Sequence, residues 1–288
     1  MPPFGSSVFP EVHVMPHVTS NDGVQLSYED TGQGRPLVLI HGWCFSGRFF
    51  HRSVPTLAQH ARVITLDLRG HGDSDKPGHG YRVPRLARDL YDLLSALDLR
   101  DVTLLGWSLG CPVIWSYLEL FGNERLARAV FVEQSPRQYI GPDWKYAHAS
   151  CYDDAGLART QMQVELNTAK FDQQQLEQIV THPLPEGERQ MLLGEMAKAP
   201  PQARNAIMAD HTRYDWRDLL PTIQLPSLVL VARQDQVFPW QGPAFVGEQI
   251  PGAQTVFFED SSHALFLDET EKFNRTVGAF VAGGQVPA

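Results

Sequence analysis

The chain has 288 residues, 43% of them hydrophobic, and a net charge of −9. That length allows one large domain or two ordinary ones, with enough apolar material for a sizeable core. The acidic balance, with no two Lys or Arg residues adjacent, argues against nucleic-acid or anionic-membrane partners, and no apolar run approaches the length that spans a bilayer.

Met1 to Met15 has no basic stretch followed by an apolar one, so no secretory leader is expected. Four prolines in residues 1–16 suggest an extended arm, and a cytoplasmic protein is expected. His17 to Tyr28 reads as a hairpin turning at Asp22-Gly23. Pro36-Leu37-Val38-Leu39-Ile40 is a continuous apolar run, as in a strand buried on both faces. It ends in His41-Gly42-Trp43. Phe49 to His60 then reads as a helix.

The pattern repeats. Val63 to Leu66 is a strand that runs into Asp67-Leu68-Arg69-Gly70-His71-Gly72-Asp73-Ser74. Val83 to Leu99 has helical spacing. Val102 to Leu105 is a strand, Pro112 to Phe121 a helix, and Leu126 to Val132 a strand. From about Arg137 to Trp216 the reading is helical, over Leu157–Ala169, Asp172–Thr181, Glu186–Ala197 and Ala203–His211. Strand rhythm resumes at Leu228–Val231 and Gln254–Phe258, with helices near Pro243–Gln249 and Glu269–Val281. Such alternation means a mostly parallel sheet with helices on both faces, and function gathers at the carboxyl ends of its strands. Residues 17–136 and 217–288 are therefore assigned to the core and 137–216 to a helical cap.

One turn organises the rest. Gly106-Trp107-Ser108-Leu109-Gly110 lies between a strand and a helix, the setting of a nucleophile elbow. A serine hydroxyl needs a base in reach, and the base needs an orienting acid. His263, on the loop after the last strand, is the candidate base. Two carboxylates compete to orient it. Asp235 follows the penultimate strand and gives the chain order Ser, Asp, His. Glu133, after the strand ending at Val132, is the alternative. The N–H groups of Trp43 and Leu109 are candidate oxyanion donors. Trp107, Trp144, Tyr146, Tyr152 and Met162 are candidate pocket residues, and a moderately apolar carbonyl substrate is expected. Cys44, Cys111 and Cys151 are too few and too unevenly spaced for a disulfide framework.

These pieces resemble the α/β-hydrolase superfamily, and within it the branch of bacterial arylesterases and cofactor-free haloperoxidases or perhydrolases. The matching pieces are His41-Gly42-Trp43, Asp67 to Ser74, Gly106 to Gly110, Asp235 and Ser262-His263-Ala264. The resemblance implies an α/β-hydrolase fold with a Ser108–His263–Asp235 triad, oxyanion donors at Trp43 and Leu109, and no cofactor. It implies a serine hydrolase acting on a small-molecule ester or lactone through an acyl-enzyme. Two positions depart from the branch. Cys44 stands where haloperoxidase-type members usually carry proline, which favours plain hydrolysis. Trp107 and Leu109 replace the Phe and Met frequent there. The alternatives are a perhydrolase, haloperoxidase or dioxygenase on the same scaffold, and a non-catalytic ligand-binding protein. Oligomeric state is not legible.

Overall fold

The computed structural model describes residues 15–283 and Val286, so most of the arm expected over 1–16 lies outside the described residues. Eight strands form one sheet: β1 (His17–Thr19), β2 (Gln25–Thr31), β3 (Pro36–Ile40), β4 (Arg62–Leu66), β5 (Val102–Trp107), β6 (Leu126–Val132), β7 (Ser227–Ala232) and β8 (Gln254–Phe258). Their order is β1-β2-β4-β3-β5-β6-β7-β8. β1 and β2 are antiparallel, β2 pairs antiparallel with β4, and every other pairing is parallel.

Side chains on a strand alternate between faces, so the apolar runs split into two cores. Val38, Ile40, Leu104, Phe131 and Val229 point into one, and Leu37, Leu39, Leu105, Val130 and Leu228 into the other. The first core is closed by α2 (Val83–Ala96), α3 (Gly110–Phe121) and α8 (Gln241–Gln249). The second is closed by α10 (Thr270–Val281), the short α9 (Leu265–Asp268), and Phe49 and Phe50. The helix expected over Phe49–His60 is not continuous. A 3₁₀ turn covers Gly47–Phe50, and a one-turn helix, α1, covers Val54–Leu57, with Pro55 in its first turn. A proline carries no N–H and starts a helix rather than continuing one.

Between β6 and β7 the chain leaves the sheet for α4 (Asp154–Leu166), α5 (Thr168–Gln178), α6 (Glu186–Ala197) and α7 (Pro201–His211). Asn167 ends α4 and caps α5, its side chain accepting from the Lys170 N–H at 3.1 Å. The two ends of the insertion meet, with Arg137 bridged antiparallel to Asp215 and the Trp216 N–H on the Pro136 carbonyl at 3.0 Å. Among the described residues no helix is long and apolar enough to cross a membrane.

Candidate active site

Ser108 follows β5 with φ +53°, in the left-handed region that non-glycine residues rarely occupy. The turn is held at both ends: Ser108 donates its N–H to the Val132 carbonyl at 2.9 Å, and its own carbonyl accepts from the Cys111 N–H at 2.8 Å. Glycines make the turn possible. A Cβ on Gly106 would lie 2.5 Å from the Gly110 carbonyl carbon, and one on Gly110 would lie 2.3 Å from the Ile40 carbonyl oxygen.

The loop after β3 packs directly on the elbow, since a Cβ on Gly42 would stand 3.0 Å from the Ser108 Cβ. Leu109 stands at the N-terminus of α3 and Trp43 in that neighbouring loop. Among the described residues, neither backbone N–H is bonded to another backbone group. Two free donors beside a serine hydroxyl suit a developing negative charge. Cys44 adopts φ +69° and donates its N–H to His71 Nε2 at 3.2 Å. The Asp67–Ser74 loop thus braces the Trp43 loop from behind.

His263 follows β8. Its Nδ1 is 3.0 Å from Asp235 Oδ2, and Asp235 also accepts from the Val237 N–H at 2.8 Å. The histidine's backbone is pinned from two sides. Trp107 donates its indole N–H to the His263 carbonyl at 2.9 Å, and the Ala264 N–H bonds the Ile179 carbonyl at 2.8 Å. Trp107 is fully buried and stacks on Phe45 with ring centroids 4.5 Å apart. It braces the histidine loop from below instead of lining a pocket.

Glu133 sits at the end of β6, next to β7, with φ +47° and no exposure. One carboxyl oxygen accepts from the Ala232 N–H, and the other, among the described residues, has no partner besides the neighbouring Asp235 carboxyl. Burial, and then the Asp235 charge, raise the Glu133 carboxyl well above its ordinary range. Burial alone would raise Asp235 too, but His263, the Glu133 hydrogen bond and the Val237 N–H outweigh it and lower it. The pair is one protonated acid donating to one carboxylate, and Asp235 is the member that bonds the imidazole. Donor atoms of Glu133, Asp235 and His263 lie within 4.8 Å of one another, the one such metal-capable trio among the described residues. Hydrogen bonds within the trio and from the Ala232 and Val237 N–H groups already engage these groups.

Ser108 and His263 both line a cavity of about 200 Å³. Its walls include Trp43, Phe45 and Phe238 and, from the insertion, Gln138, His148, Gln175 and His211. The five residues expected to line it do not. Trp144 folds back on its own segment, with its indole N–H on the Arg137 carbonyl at 3.0 Å and its ring edge-on to Tyr146 and Phe245. Tyr152 and Met162 are 36% and 55% exposed to solvent. Trp107 is beneath the elbow. The lining is richer in amide and imidazole groups than the apolar expectation, and sequence periodicity gave no signal for it.

A family model described as the alpha/beta hydrolase fold matches residues 35–270. The chain is 32% identical over 277 residues to a non-heme chloroperoxidase from Kitasatospora aureofaciens, covering 93% of this chain and 99% of that one. Among solved structures it is similar to an esterase from Exiguobacterium antarcticum, with a TM-score of 0.89 at 26% identity over 93% of this chain and all of the other. A bromoperoxidase from Bacillus anthracis matches with a TM-score of 0.87 at 28% identity, over the same shares of the two chains.

Proposed function

We propose, from the premise that this chain belongs to the α/β-hydrolase family, that it is a serine-dependent hydrolase of carboxylic esters or lactones. The observation that carries this reading is the His263–Asp235 contact at 3.0 Å beside a strained Ser108 on one cavity. In this reading residues 17–136 and 217–288 form the catalytic core, and 137–216 form a cap that shapes the cavity.

Ser108 Oγ attacks the ester carbonyl while His263 Nε2 takes its proton. Asp235 holds Nδ1–H, fixing the tautomer and stabilising the imidazolium. The carbonyl oxygen becomes an oxyanion between the N–H groups of Trp43 and Leu109, at the positive end of α3. His263 returns the proton to the departing alkoxide, leaving an acyl-Ser108 ester. A water that His263 deprotonates then attacks the acyl carbon, and Ser108 leaves with the proton. No cofactor enters these steps.

Relatives named chloroperoxidase and bromoperoxidase give perhydrolysis, with peroxide in place of water, as the second reading. Cys44 favours water. With φ +69° and a bonded N–H, this position cannot take the proline usual in haloperoxidase-type relatives without rebuilding the loop.

The test is a panel of p-nitrophenyl esters and simple lactones, with acetate plus hydrogen peroxide alongside, on wild type and Ser108→Ala. Ester or lactone turnover that Ser108→Ala abolishes is expected. Peracid formation far faster than ester cleavage would favour the second reading. Ligand binding without turnover would favour a non-catalytic protein.

A further inference from the structure

We infer that the insertion sets the oxyanion site: the Arg204 carbonyl on α7 positions the Trp43 N–H through the Trp43 indole, which makes Arg204 a positioning residue. This rests on the hydrolase reading, in which Trp43 supplies one oxyanion donor. It adds to that reading a residue that forms no part of the cavity wall.

The two oxyanion donors are supported unequally. The Leu109 N–H opens α3 directly behind the elbow, so that helix fixes it. The Trp43 N–H stands in a loop. From the sheet side this loop is held at the peptide that carries the N–H. Leu68 donates its N–H to His41 Nε2 at 3.0 Å, so the proton of the neutral ring sits on Nδ1 and is donated to the Gly42 carbonyl at 2.7 Å. A peptide unit is planar, so a bond to its carbonyl constrains where the N–H on its other side points. The Trp43 Cα end of the unit is left to the side chain.

That side chain reaches into the insertion. The indole N–H donates to the Arg204 carbonyl at 2.8 Å, and the ring meets Phe171 of α5 edge-on, with centroids 5.7 Å apart. Arg204 is itself fully buried. Its guanidinium bonds both carboxyl oxygens of Asp172 on α5, the Met196 carbonyl at the end of α6, and the Ala199 carbonyl just beyond it, the last at 2.7 Å. One side chain thus joins α5, α6 and α7, and the carbonyl of the same residue meets the indole. A planar fork of five donors can make this set of contacts, and a lysine ammonium, a point charge on a flexible stem, cannot reproduce it. The Arg204 carbonyl lies inside α7, where the helix ladder uses one lone pair and leaves the other for the indole. The indole bond is therefore an addition to α7 and not a condition of its folding.

Trp43→Phe removes the indole N–H, keeps a ring against Phe171 and leaves α7 its own ladder. On a p-nitrophenyl ester it should lower kcat and kcat/KM alike, by roughly tenfold, with KM within about twofold of wild type. Inhibition by a trifluoromethyl ketone, whose adduct with Ser108 carries an oxyanion, should weaken by the same factor. Trp43 also lines the cavity, and a wall residue would show its loss in KM. A loss confined to KM, or a kcat within about twofold of wild type, overturns the inference. Lys198→Ala is the control, because Lys198 ties the same insertion to Asp73, outside the Trp43 loop, at 2.9 Å. Its kcat should stay at the wild-type level. An equal loss there would mean that any loosening of the insertion slows the reaction, which also overturns the inference. Hydrogen exchange separates the inference from the reaction assignment. In Trp43→Phe and in Arg204→Lys, the amides of residues 42–45 should exchange several-fold faster than in wild type, while those of α3 keep their rates. If wild type cleaves no ester but this loosening appears, the hydrolase reading falls and the coupling stands. If esters are cleaved and exchange over 42–45 is unchanged in both variants, the coupling falls and the hydrolase reading stands.

Discussion

The decisive contact at the residue scale is between two acids and one imidazole. β6 and β7 are parallel neighbours, with Val132 opposite Leu230, so the loops that follow them bring Glu133 and Asp235 together. The chain places both at the carboxyl edge, and the chain order Ser, Asp, His favours Asp235 as the orienting acid, with Glu133 as the alternative. The structure separates them by hydrogen bonding: Asp235 meets His263 Nδ1, while Glu133 meets Asp235 and the Ala232 N–H. Two substitutions should therefore behave differently. Asp235→Asn leaves the shape and removes the charge that orients the imidazole, and kcat should fall by on the order of 10⁴. Glu133→Gln keeps a carbonyl for the Ala232 N–H and an N–H for Asp235, so kcat at neutral pH should change only a few-fold. Steady-state rates on one aryl ester decide it. An equal collapse in Glu133→Gln would make Glu133 the orienting acid.

The strand–turn units are what local chemistry dictates most clearly. Buried strands announce themselves as apolar runs, and the elbow glycines as the only residues that fit where backbones nearly touch. Both were legible in the sequence. The cavity walls were not, because helical periodicity tells which face of a helix is covered but not whether core or cavity covers it. Trp144 and Gln138 are both buried, yet Trp144 closes on its own segment and Gln138 faces the site. The loop after β3 offers a sharp test at this scale. Cys44→Pro removes the N–H that His71 accepts and demands φ near −65° where the backbone holds +69°. It should cost roughly 2–4 kcal/mol of stability and displace the Trp43 N–H, lowering kcat more than it raises KM. Cys44→Ala, which keeps the backbone N–H, should stay close to wild type in urea midpoint and in kcat. Equal behaviour of the two variants would mean that the backbone at Cys44 does not set the loop. At the elbow, a methyl on Gly106 collides with backbone on the far side of the turn, so Gly106→Ala should lose activity even where circular dichroism shows it folded.

For the molecule as a whole, its buried imidazoles set the response to acid. Burial foremost lowers His41, His71, His148 and His211 below their ordinary value of 6.5. A base kept neutral in the fold and free to protonate when unfolded stabilises the protein above pH 6.5, and that stability is lost as pH falls toward the folded value. Glu133 has the opposite sign. Its carboxyl is raised above 4.5, so the native state keeps a proton that the unfolded chain releases. Near pH 5, unfolding should thus take up about three protons, on His71, His148 and His211, and release one from Glu133, a net uptake of about two to which His41 adds in the same direction. At about 1.4 kcal/mol per proton and pH unit, stability should fall by on the order of 3 kcal/mol for each unit below pH 6. A domain with a margin of roughly 5–15 kcal/mol would then unfold in acid while most surface carboxylates are still ionised. Urea midpoints measured from pH 7.5 to 4.5 should show this slope. His211→Gln should lower the proton uptake by about one, and Glu133→Gln, by removing the opposing term, should raise it by about one. A midpoint flat down to pH 4.5 in wild type would mean that these histidines are charged in the folded protein.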